Sequence, residues 1–272
     1  KKSSEMKLYL PMAIMMKSML FNFGALRSIK DSLVVPNIGA EAISFIKLWL
    51  VLPSTILFTI IYIKLSNIFD YRNLYFLIIS IFLFFFIFFA FVLFPLQDFF
   101  HPKKSIVDKF VLIYPSLKWF IIIFGKWTYV LMYIICELWS AVIINLLFWQ
   151  FANYNFDSET AKRFYPIFGM VGNIGLILAG HCLVLYSDKY SFGFIFNDEY
   201  ISNIEFQCKC VLQPITIIVF TVGCIAIILF AYINYYVLNQ NINSISSSSK
   251  NINLTKTRLN LKESINLIIG SV

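Results

Sequence analysis

Charged residues are scarce in this 272-residue chain. Asp, Glu, Lys and Arg together make up 13% of it, whereas 60% of its residues are hydrophobic. Soluble domains typically contain about 25% charged and about 45–50% apolar residues. The 30 phenylalanines are more than one soluble core can hold, so many of these side chains must be solvated by lipid. The composition therefore predicts an integral membrane protein.

Enzyme signatures are missing as well. The sequence has no G-x-x-x-x-G-K-[ST] phosphate loop, no His-x-x-x-His metal pair and no G-x-S-x-G nucleophile motif. We therefore expect no catalytic residues, no cofactor and no metal site. The chain is expected to act on its partners by binding or moving them.

Cysteine is also sparse, with five residues. Cys136, Cys182 and Cys224 lie in apolar segments and are interpreted as small hydrophobic residues. Cys208 and Cys210 form a C-x-C in a predicted loop, where a disulfide or a metal ion is the alternative to two free thiols. Because no His or second cysteine pair lies nearby, we expect free thiols.

Apolar segments of about 20 residues, the length of a transmembrane helix, recur six times. The first runs from Leu8 to Leu26, and we expect its helix to continue to Val35, before Pro36. The other five predicted spans are 45–63, 74–94, 127–151, 164–185 and 212–238. The predicted fold class is thus all-α, a polytopic bundle of six transmembrane helices.

A long connection, 95–126, separates the third and fourth spans. Its "LKWFIIIFGKW" is apolar with Lys and Trp at both ends. This pattern is typical of a helix that lies in the membrane interface, where Trp and Lys act as anchors. A short seventh span is the alternative.

The distribution of Lys and Arg predicts the orientation. With the N-terminus inside, eleven of these residues fall in cytoplasmic segments and seven in the much longer external connections. The positive-inside rule then places the N-terminus in the cytoplasm, and six spans return the chain there. The net charge of +8 mostly reflects this bias, so we do not expect nucleic-acid binding.

Residues 1–238 are predicted to form the six-helix bundle, and a polar stretch follows it. Residues 239–257, "NQNINSISSSSKNINLTKT", are rich in Ser and Asn and predict a flexible cytoplasmic linker. Residues 258–272 begin an amphipathic helix. Because a linker joins two parts, we expect the chain to be a fragment whose continuation is a second membrane domain.

Three charged residues stand near the end of the first predicted helix. Arg27, Lys30 and Asp31 are spaced at i, i+3 and i+4, which places them on one helix face. Charges at membrane depth cost about 2.5–3.5 kcal/mol each on insertion scales and usually mark functional sites. In the alternative, Arg27 pairs locally with Asp31 at the membrane surface and Lys30 is left as the excess cation.

One carboxylate lies near the middle of the fourth span. Glu137, in "MYIICELWSAVIINLLFWQFAN", has at least nine uncharged residues on each side. A short carboxylate cannot extend to the membrane surface, so it must be protonated, paired or facing water. We favour a functional carboxylate over a neutral Glu hydrogen-bonded to a neighbouring helix.

Small residues line one face of the fifth span. Gly169, Gly172, Gly175 and Ala179 recur at spacings of three and four, which lets a neighbouring helix approach closely. Asn173 lies beside this face. It is a candidate for presenting its amide to a polar ligand, with helix packing as the alternative.

These features together suit half of a twelve-helix secondary transporter, whose two halves rock around a site at the membrane midplane. The basic residues of the first helix favour an anionic substrate. Proton-coupled symport of an organic anion, with Glu137 carrying the proton, is a second transport hypothesis. A membrane subunit or receptor without transport activity, whose charges serve assembly, is a rival of another class.

Three long motifs resemble a known family. They are "ALRSIKDSLVVPNIGAEAISFIKLWLVLPS", "YIICELWSAVIINLLFWQFAN" and "AKRFYPIFGMVGNIGLILAG". They are similar to motifs of the non-mitochondrial ATP/ADP translocases of intracellular bacteria and plastids. The resemblance covers nearly all of residues 6–272. It implies a major-facilitator-like architecture of about twelve helices, of which this chain matches the N-terminal half.

The resemblance also implies a function. It predicts exchange of ADP for ATP across a bacterial inner membrane, with ATP and ADP as transported substrates and the C-terminal half of the transporter as partner. Lys30 and Glu137 match charged positions that are important for transport in the family. Some relatives move other nucleotides or import them with protons, so proton-coupled import is the alternative.

The charges suggest how such exchange would work. We hypothesise that Glu137 pairs with a cation when the site is empty, while Lys30 and cations of the second half bind the phosphates. An unneutralised basic site would be costly to occlude, which would limit turnover to the loaded carrier.

Overall fold

The computed structural model describes residues 2–193 and 204–238 of the chain, with side chains for 8–186 and 211–235. The described part is all-helical and contains no strand. Its helices are α1 (Lys2–Asn37), α2 (Ala42–Ile68), α3 (Tyr71–Leu93), α4 (Gln97–Phe100), α5 (Lys104–Ile113), α6 (Pro115–Gly125), α7 (Trp127–Asn155), α8 (Ser158–Gly193) and α9 (Ile204–Tyr232, continued as a π-helical segment at Ile233–Leu238). The predicted linker 239–257 and the segment 258–272 lie outside the described residues.

Five described helices are long and apolar enough to cross a membrane. They are α2, α3, α7, the Ser158–Tyr186 part of α8 and the Val211–Tyr235 part of α9. Each contains one of the predicted spans or most of it. Helix α1 is not among the five, although it has 36 residues, because Pro, Lys, Asn and Gly residues interrupt its apolar ones. The structure thus confirms an all-helical chain with five membrane-capable helices.

Helix α1 passes through the charged stretch without a break, as predicted. It includes Arg27, Lys30 and Asp31 and ends at Asn37, one residue after Pro36. Gly39 follows with a φ of +112°, a conformation that favours glycine at a helix C-terminus. The Gly39 N–H donates to the carbonyl of Val35 at 3.1 Å. All three charges are therefore held on one rigid helix.

Helix α1 lies at the centre of the described bundle, in contact with α7, α8 and α9. Its methionines Met12, Met15 and Met19 are fully buried. The indole N–H of Trp139, a buried side chain of α7, donates to the carbonyl of Met19 at 3.4 Å. This contact fixes α1 against α7 about three turns before Lys30.

The small-residue face of α8 packs against α1, as predicted for three of its four members. A Cβ placed on Gly175 would lie 2.2 Å from the carbonyl oxygen of Lys17, and one on Gly172 would lie 2.4 Å from Leu20. Ala179 lies against Gly24 of α1. The prediction is wrong for Gly169, where an added Cβ would meet no atom within 4 Å. At this level the contact between the two helices is made by the ring of Tyr9 with those of Phe164 and Phe168.

The connection between α3 and α7 contains the predicted apolar helix. Helix α6 has 11 residues, Pro115–Gly125, and is about 16 Å long. A hydrocarbon core is about 30 Å thick, so α6 cannot span it. The alternative of a seventh span is therefore wrong.

The side chain of His101 joins this connection to the start of α7. One of its ring nitrogens, Nε2, lies 2.7 Å from Oγ1 of Thr128, and the indole N–H of Trp127 donates to the carbonyl of Phe100 at 3.1 Å. Burial, together with the charge of Lys126, lowers the pKa of His101 to about 4. The imidazole is therefore neutral at pH 7.

The cysteines differ from prediction at one point. Cys208 and Cys210 lie in the first turns of α9 and not in a loop. Cys136, Cys182 and Cys224 are free thiols in helices, as expected.

Candidate functional site

The main feature of the site is an ion pair between α1 and α7. The ammonium nitrogen of Lys30 lies 2.8 Å from Oε1 of Glu137, and 107 residues separate the two positions in the chain. Both are held by long helices that pack directly against each other. Glu137 thus pairs with a cation, and that cation is Lys30 of the same chain.

Lys30 has two further partners. Oδ1 of Asp31 lies 3.2 Å from the ammonium nitrogen, and the ring centroid of Tyr133 lies 3.9 Å from it. An ammonium group has three N–H donors, and these neighbours supply two carboxylates and one aromatic face. The charge of Lys30 is thus well compensated, although only 5% of the residue is exposed.

This compensation explains how a charged lysine is tolerated so deep in an apolar bundle. A buried ammonium without a partner would cost several kcal/mol, whereas a pair with good hydrogen-bond geometry offsets most of that cost. A charge-assisted contact of 2.8 Å is in the strong range for such pairs. The alternative of a neutral, hydrogen-bonded Glu137 is therefore disfavoured.

The exposure of the charged residues rises towards one side of the bundle. The side chain of Lys30 is 6% exposed, that of Glu137 23% and that of Asp31 43%. Arg27 is exposed. Arg27 and Asp31, at i and i+4, share one face of α1, so the ion pair lies beside a more exposed face of that helix. We call Arg27, Lys30, Asp31, Tyr133 and Glu137 the Lys30 cluster.

The alternative of a local pair between Arg27 and Asp31 is not what the structure shows. Asp31 contacts Lys30 instead, and Arg27 has no ion pair with any residue whose side chain the structure describes. Burial explains the difference, since the buried ammonium of Lys30 needs carboxylates more than the exposed guanidinium of Arg27 does. The two cations and two anions of the Lys30 cluster sum to a formal charge of zero, so the cluster itself holds no excess cation.

Asn173 is not part of this arrangement. It is exposed on α8, beside the buried Gly172, and no hydrogen bond among the described side chains joins it to the Lys30 cluster. The structure thus brings into contact three of the five predicted site residues, Lys30, Asp31 and Glu137, while Arg27 lies three residues before Lys30 on α1 without contacting them.

Tyr133 is a site residue that sequence reasoning missed. It precedes Glu137 by four residues, so both side chains lie on the same face of α7. The spacing in "YIICE" was a usable signal. It was weak, because tyrosine is frequent in this chain and an i, i+4 aromatic pair is usually core packing.

A π-helical segment, Trp139–Phe148, begins two residues after Glu137. Such segments are often found at functional sites because they rotate the residues that follow them. Tyr71 of α3 donates its hydroxyl to the carbonyl of Leu147 at 2.9 Å, near the end of this segment. The hydroxyl of Tyr62 in α2 donates to Oε1 of Gln150 at 2.5 Å, just beyond the segment. Neighbouring helices thus stabilise the irregular backbone that follows the ion pair.

Asn22 is a second residue that the sequence did not single out. It is fully buried on α1, and neither its amide nitrogen nor its amide oxygen has a hydrogen-bond partner among the described residues. It lies two turns before Lys30, about 12 Å along the helix. An unsatisfied amide in this position makes the packing around α1 less stable than an apolar residue would.

The sequence matches one family model. The model of the TLC ATP/ADP transporter family matches residues 2–272. No solved structure gives a significant match to the chain.

Several curated proteins are similar to the chain. ADP,ATP carrier protein 3 of Rickettsia typhi is 53% identical over 270 residues, which cover 98% of this chain and 53% of that protein. ADP,ATP carrier protein 4 of the same organism is 39% identical over 259 residues, covering 94% of this chain and 50% of that protein. ADP,ATP carrier protein 1 of Rickettsia conorii is 46% identical over 183 residues, covering 66% of this chain and 37% of that protein. The chain spans about half the length of the curated relatives that match nearly all of it.

Proposed function

Because the chain belongs to the TLC ATP/ADP transporter family, we propose that it forms the N-terminal half of a carrier that exchanges ATP for ADP. The relatives that cover nearly the whole chain are named ADP,ATP carrier proteins, which supports these two nucleotides as substrates. Helix α1 would be the sixth span beside the five membrane-capable helices, in a major-facilitator-like half. In this proposal the chain is part of a transporter and not of an enzyme.

The observation that carries this proposal is the ion pair of Lys30 with Glu137. Lys30 is buried, but Asp31 next to it and Arg27 on the same face of α1 are more exposed and mark one surface of the bundle. In the proposal this surface faces the second half of the transporter, and the nucleotide binds between the halves. A phosphate oxygen then competes with Glu137 for the ammonium of Lys30.

This competition couples binding to a change of charge. When the site is empty, Lys30 and Glu137 neutralise each other. When phosphate takes Lys30, Glu137 loses its partner and must pair with another cation, because an unpaired carboxylate is costly in a low-dielectric site. In the proposal the second half supplies this cation, so the loaded and empty states each require a matching set of charges.

Because the Lys30 cluster is neutral, it does not by itself account for obligate exchange. The cluster carries no surplus positive charge when it is empty, so it can be occluded at low electrostatic cost. A barrier to return of the empty carrier therefore has to come from unneutralised cations in the second half. The proposal thus attributes obligate exchange to the assembled transporter and not to this half alone.

Proton-coupled nucleotide import is a second candidate, and one observation favours it. The side chain of Glu137 is 23% exposed, so in this candidate a proton reaches its carboxylate once a phosphate has taken Lys30. Substrate binding would then drive protonation of Glu137. Exchange requires a nucleotide on the opposite side of the membrane, whereas proton-coupled import requires a pH gradient across it.

The location follows from the same proposal. The carrier would lie in the bacterial inner membrane, with the N-terminus in the cytoplasm as the excess of Lys and Arg in the predicted cytoplasmic segments suggests. Its partners would be the lipid bilayer and the second half of the transporter.

A chimera tests the proposal directly. Residues 1–238 of this chain replace the matching segment of ADP,ATP carrier protein 3 of Rickettsia typhi, and the purified chimera is placed in vesicles loaded with ADP. We expect uptake of labelled ATP into ADP-loaded vesicles and little uptake into empty ones. The chain without a second half is the matched control and should insert but not transport.

The outcomes separate the alternatives. Uptake into empty vesicles that depends on an imposed pH gradient would support the proton-coupled carrier and contradict exchange. A chimera that folds and inserts but moves no nucleotide under either condition would contradict transport and favour a membrane subunit whose charges serve assembly.

A further inference from the structure

A polar side chain interrupts a buried apolar seam of α1. Six residues recur along this helix at alternating spacings of four and three, a pattern that aligns them on one face. All six are buried, and they are Met15, Met19, Asn22, Leu26, Ile29 and Leu33. Asn22 is the polar member of this seam, and it is 0% exposed.

The amide of Asn22 is buried without a partner. Neither its Nδ2 nor its Oδ1 makes a hydrogen bond within the part of the chain that the structure describes. Such a group makes its conformation less stable than an apolar side chain of similar size would. In coiled coils an asparagine in the seam is retained because it selects one register of the helices, at a cost in stability. Asn22 therefore indicates a second register of α1 in which its amide is satisfied.

The indole of Trp139 is a donor that such a second register can use. Its N–H donates to the carbonyl of Met19 at 3.4 Å, which is long for a hydrogen bond of this kind. Within an α-helix that carbonyl also accepts from the main-chain N–H four residues on, so the indole loses little by leaving it. Met19 and Asn22 lie on one face of α1, about 4.5 Å apart along its axis. A shift of α1 along α7 by less than one turn therefore carries the indole to the amide.

The same helix makes the ion pair and the indole contact. Glu137 of α7 lies 2.8 Å from the ammonium of Lys30, and Trp139 follows it by two residues, at the start of the π-helical segment. Both contacts therefore respond to one displacement of α1 against α7. The ion pair holds α1 in the register in which Asn22 has no partner, and opening the pair releases α1 towards the other register.

We propose that Asn22 is a positioning residue of the exchange cycle, whose Oδ1 accepts the indole N–H of Trp139 once Lys30 and Glu137 have separated. The inference rests on the proposed function, because it assigns this hydrogen bond to the nucleotide-loaded carrier. The new bond partly offsets the loss of the ion pair. Asn22 thus destabilises the empty state and stabilises the loaded state, which helps a phosphate to open the ion pair.

Replacing Asn22 by an apolar residue of similar size should move stability and nucleotide binding in opposite directions. Asn22→Leu removes the unpartnered amide from the empty state, so it should raise the unfolding temperature of the full chain in detergent by about 2 °C or more. In the chimera, with ADP inside the vesicles, it should raise the KM for ATP by about tenfold, because the loaded state loses its hydrogen bond while the empty state is stabilised. A purely structural role would not combine a more stable chain with weaker nucleotide binding.

Two further variants provide the control and identify the partner. Asn234 is buried in α9, but its Nδ2 donates to the carbonyl of Phe230 at 2.9 Å. Asn234→Leu should therefore not raise the unfolding temperature and should leave the KM unchanged. Trp139→Phe removes the donor, so it should raise the KM of the parent chimera but not raise it further in the Asn22→Leu chimera, because both residues belong to one hydrogen bond.

Three results would overturn this inference alone. An unchanged KM in Asn22→Leu, beside exchange by the parent chimera, would mean that the amide has no role in the loaded state. A lower unfolding temperature in Asn22→Leu would mean that the amide is satisfied in the empty state. Independent effects of Asn22→Leu and Trp139→Phe would exclude the indole as the partner. A parent chimera that neither binds nor exchanges ATP would instead overturn the proposed function, and this inference with it.

Discussion

The ammonium of Lys30 in α1 lies 2.8 Å from the carboxylate of Glu137 in α7. This contact joins two helices that are far apart in the sequence and places a cation and an anion together inside an apolar bundle. In the proposed carrier the same ammonium binds the phosphates of the nucleotide. In this proposal the contact between Lys30 and Glu137 is formed in the empty carrier and broken in the loaded carrier.

Exchanging the two charges separates these roles. Lys30→Gln and Glu137→Gln should each reduce exchange by about 10- to 100-fold, the loss typical of a charge-assisted hydrogen bond, without preventing membrane insertion. The double variant Lys30→Glu with Glu137→Lys should restore thermal stability, because the ion pair is rebuilt. It should not restore exchange, because the phosphate-binding cation is displaced. Recovery of both properties would assign the pair a purely structural role.

The exposed members of the Lys30 cluster should act in opposite directions. The carboxylate of Asp31 lies 3.2 Å from the ammonium of Lys30 and partly neutralises it. Asp31→Asn should therefore leave more positive charge for an anionic nucleotide and lower the KM for that nucleotide. Arg27→Gln removes a cation from the same helix face and should raise the KM. Each effect should be about threefold to tenfold and should shrink at high salt, since both groups are partly or fully exposed. Initial rates at several ATP concentrations measure it, and changes in the same direction would contradict this electrostatic account.

The close approach of α1 and α8 predicts a sharp difference between two glycines. Gly175→Ala would place a methyl group 2.2 Å from the backbone oxygen of Lys17, and backbone cannot move aside as a side chain can. We expect a loss of about 1–3 kcal/mol in stability, as for other overpacked sites. Gly169→Ala meets nothing within 4 Å and should be neutral or slightly stabilising, because alanine favours helix more than glycine does. Thermal unfolding in detergent compares the two, and equal effects would argue against this packing.

The depressed pKa of His101 predicts a pH dependence of stability. Its pKa is about 4 in the folded chain and about 6.5 when unfolded, so the unfolded state binds more protons between these values. Stability should therefore fall as the pH is lowered from 6.5 towards 4 and should not change from this source above 6.5. His101→Gln should remove this part of the dependence. Unfolding temperatures of both chains between pH 7.5 and 4.5 measure the effect, and parallel curves would exclude His101 as its origin.

The helices were predictable because lipid imposes a simple rule. A spanning segment must be apolar and about 20 residues long, and each predicted span after the first corresponds to a described helix. The continuation of α1 through its charges was also predictable, since Arg27, Lys30 and Asp31 are all compatible with helix. The orientation of the chain and the second half remain predictions.

The pairing within the site was not predictable to the same degree. Helical spacing placed Arg27 and Asp31 next to each other and suggested a local pair. Burial reversed this, because Lys30 is inside the bundle and needs the carboxylates, while Arg27 is exposed to one side. The small-residue face shows the same limit, since Gly172 and Gly175 are in close contact with α1 while Gly169 is not.

Composition and spacing alone determined that this chain resides in a membrane and is helical. They also placed Lys30 and Glu137 at membrane depth, where a charge has a high free-energy cost. Only the tertiary structure decided that these two residues meet, that Tyr133 covers their ammonium, and that Asn173 stands apart. The physical reason is that helical periodicity specifies the direction of a side chain around its own axis. Which neighbour lies in that direction depends on how the helices pack, and that is a property of the whole bundle.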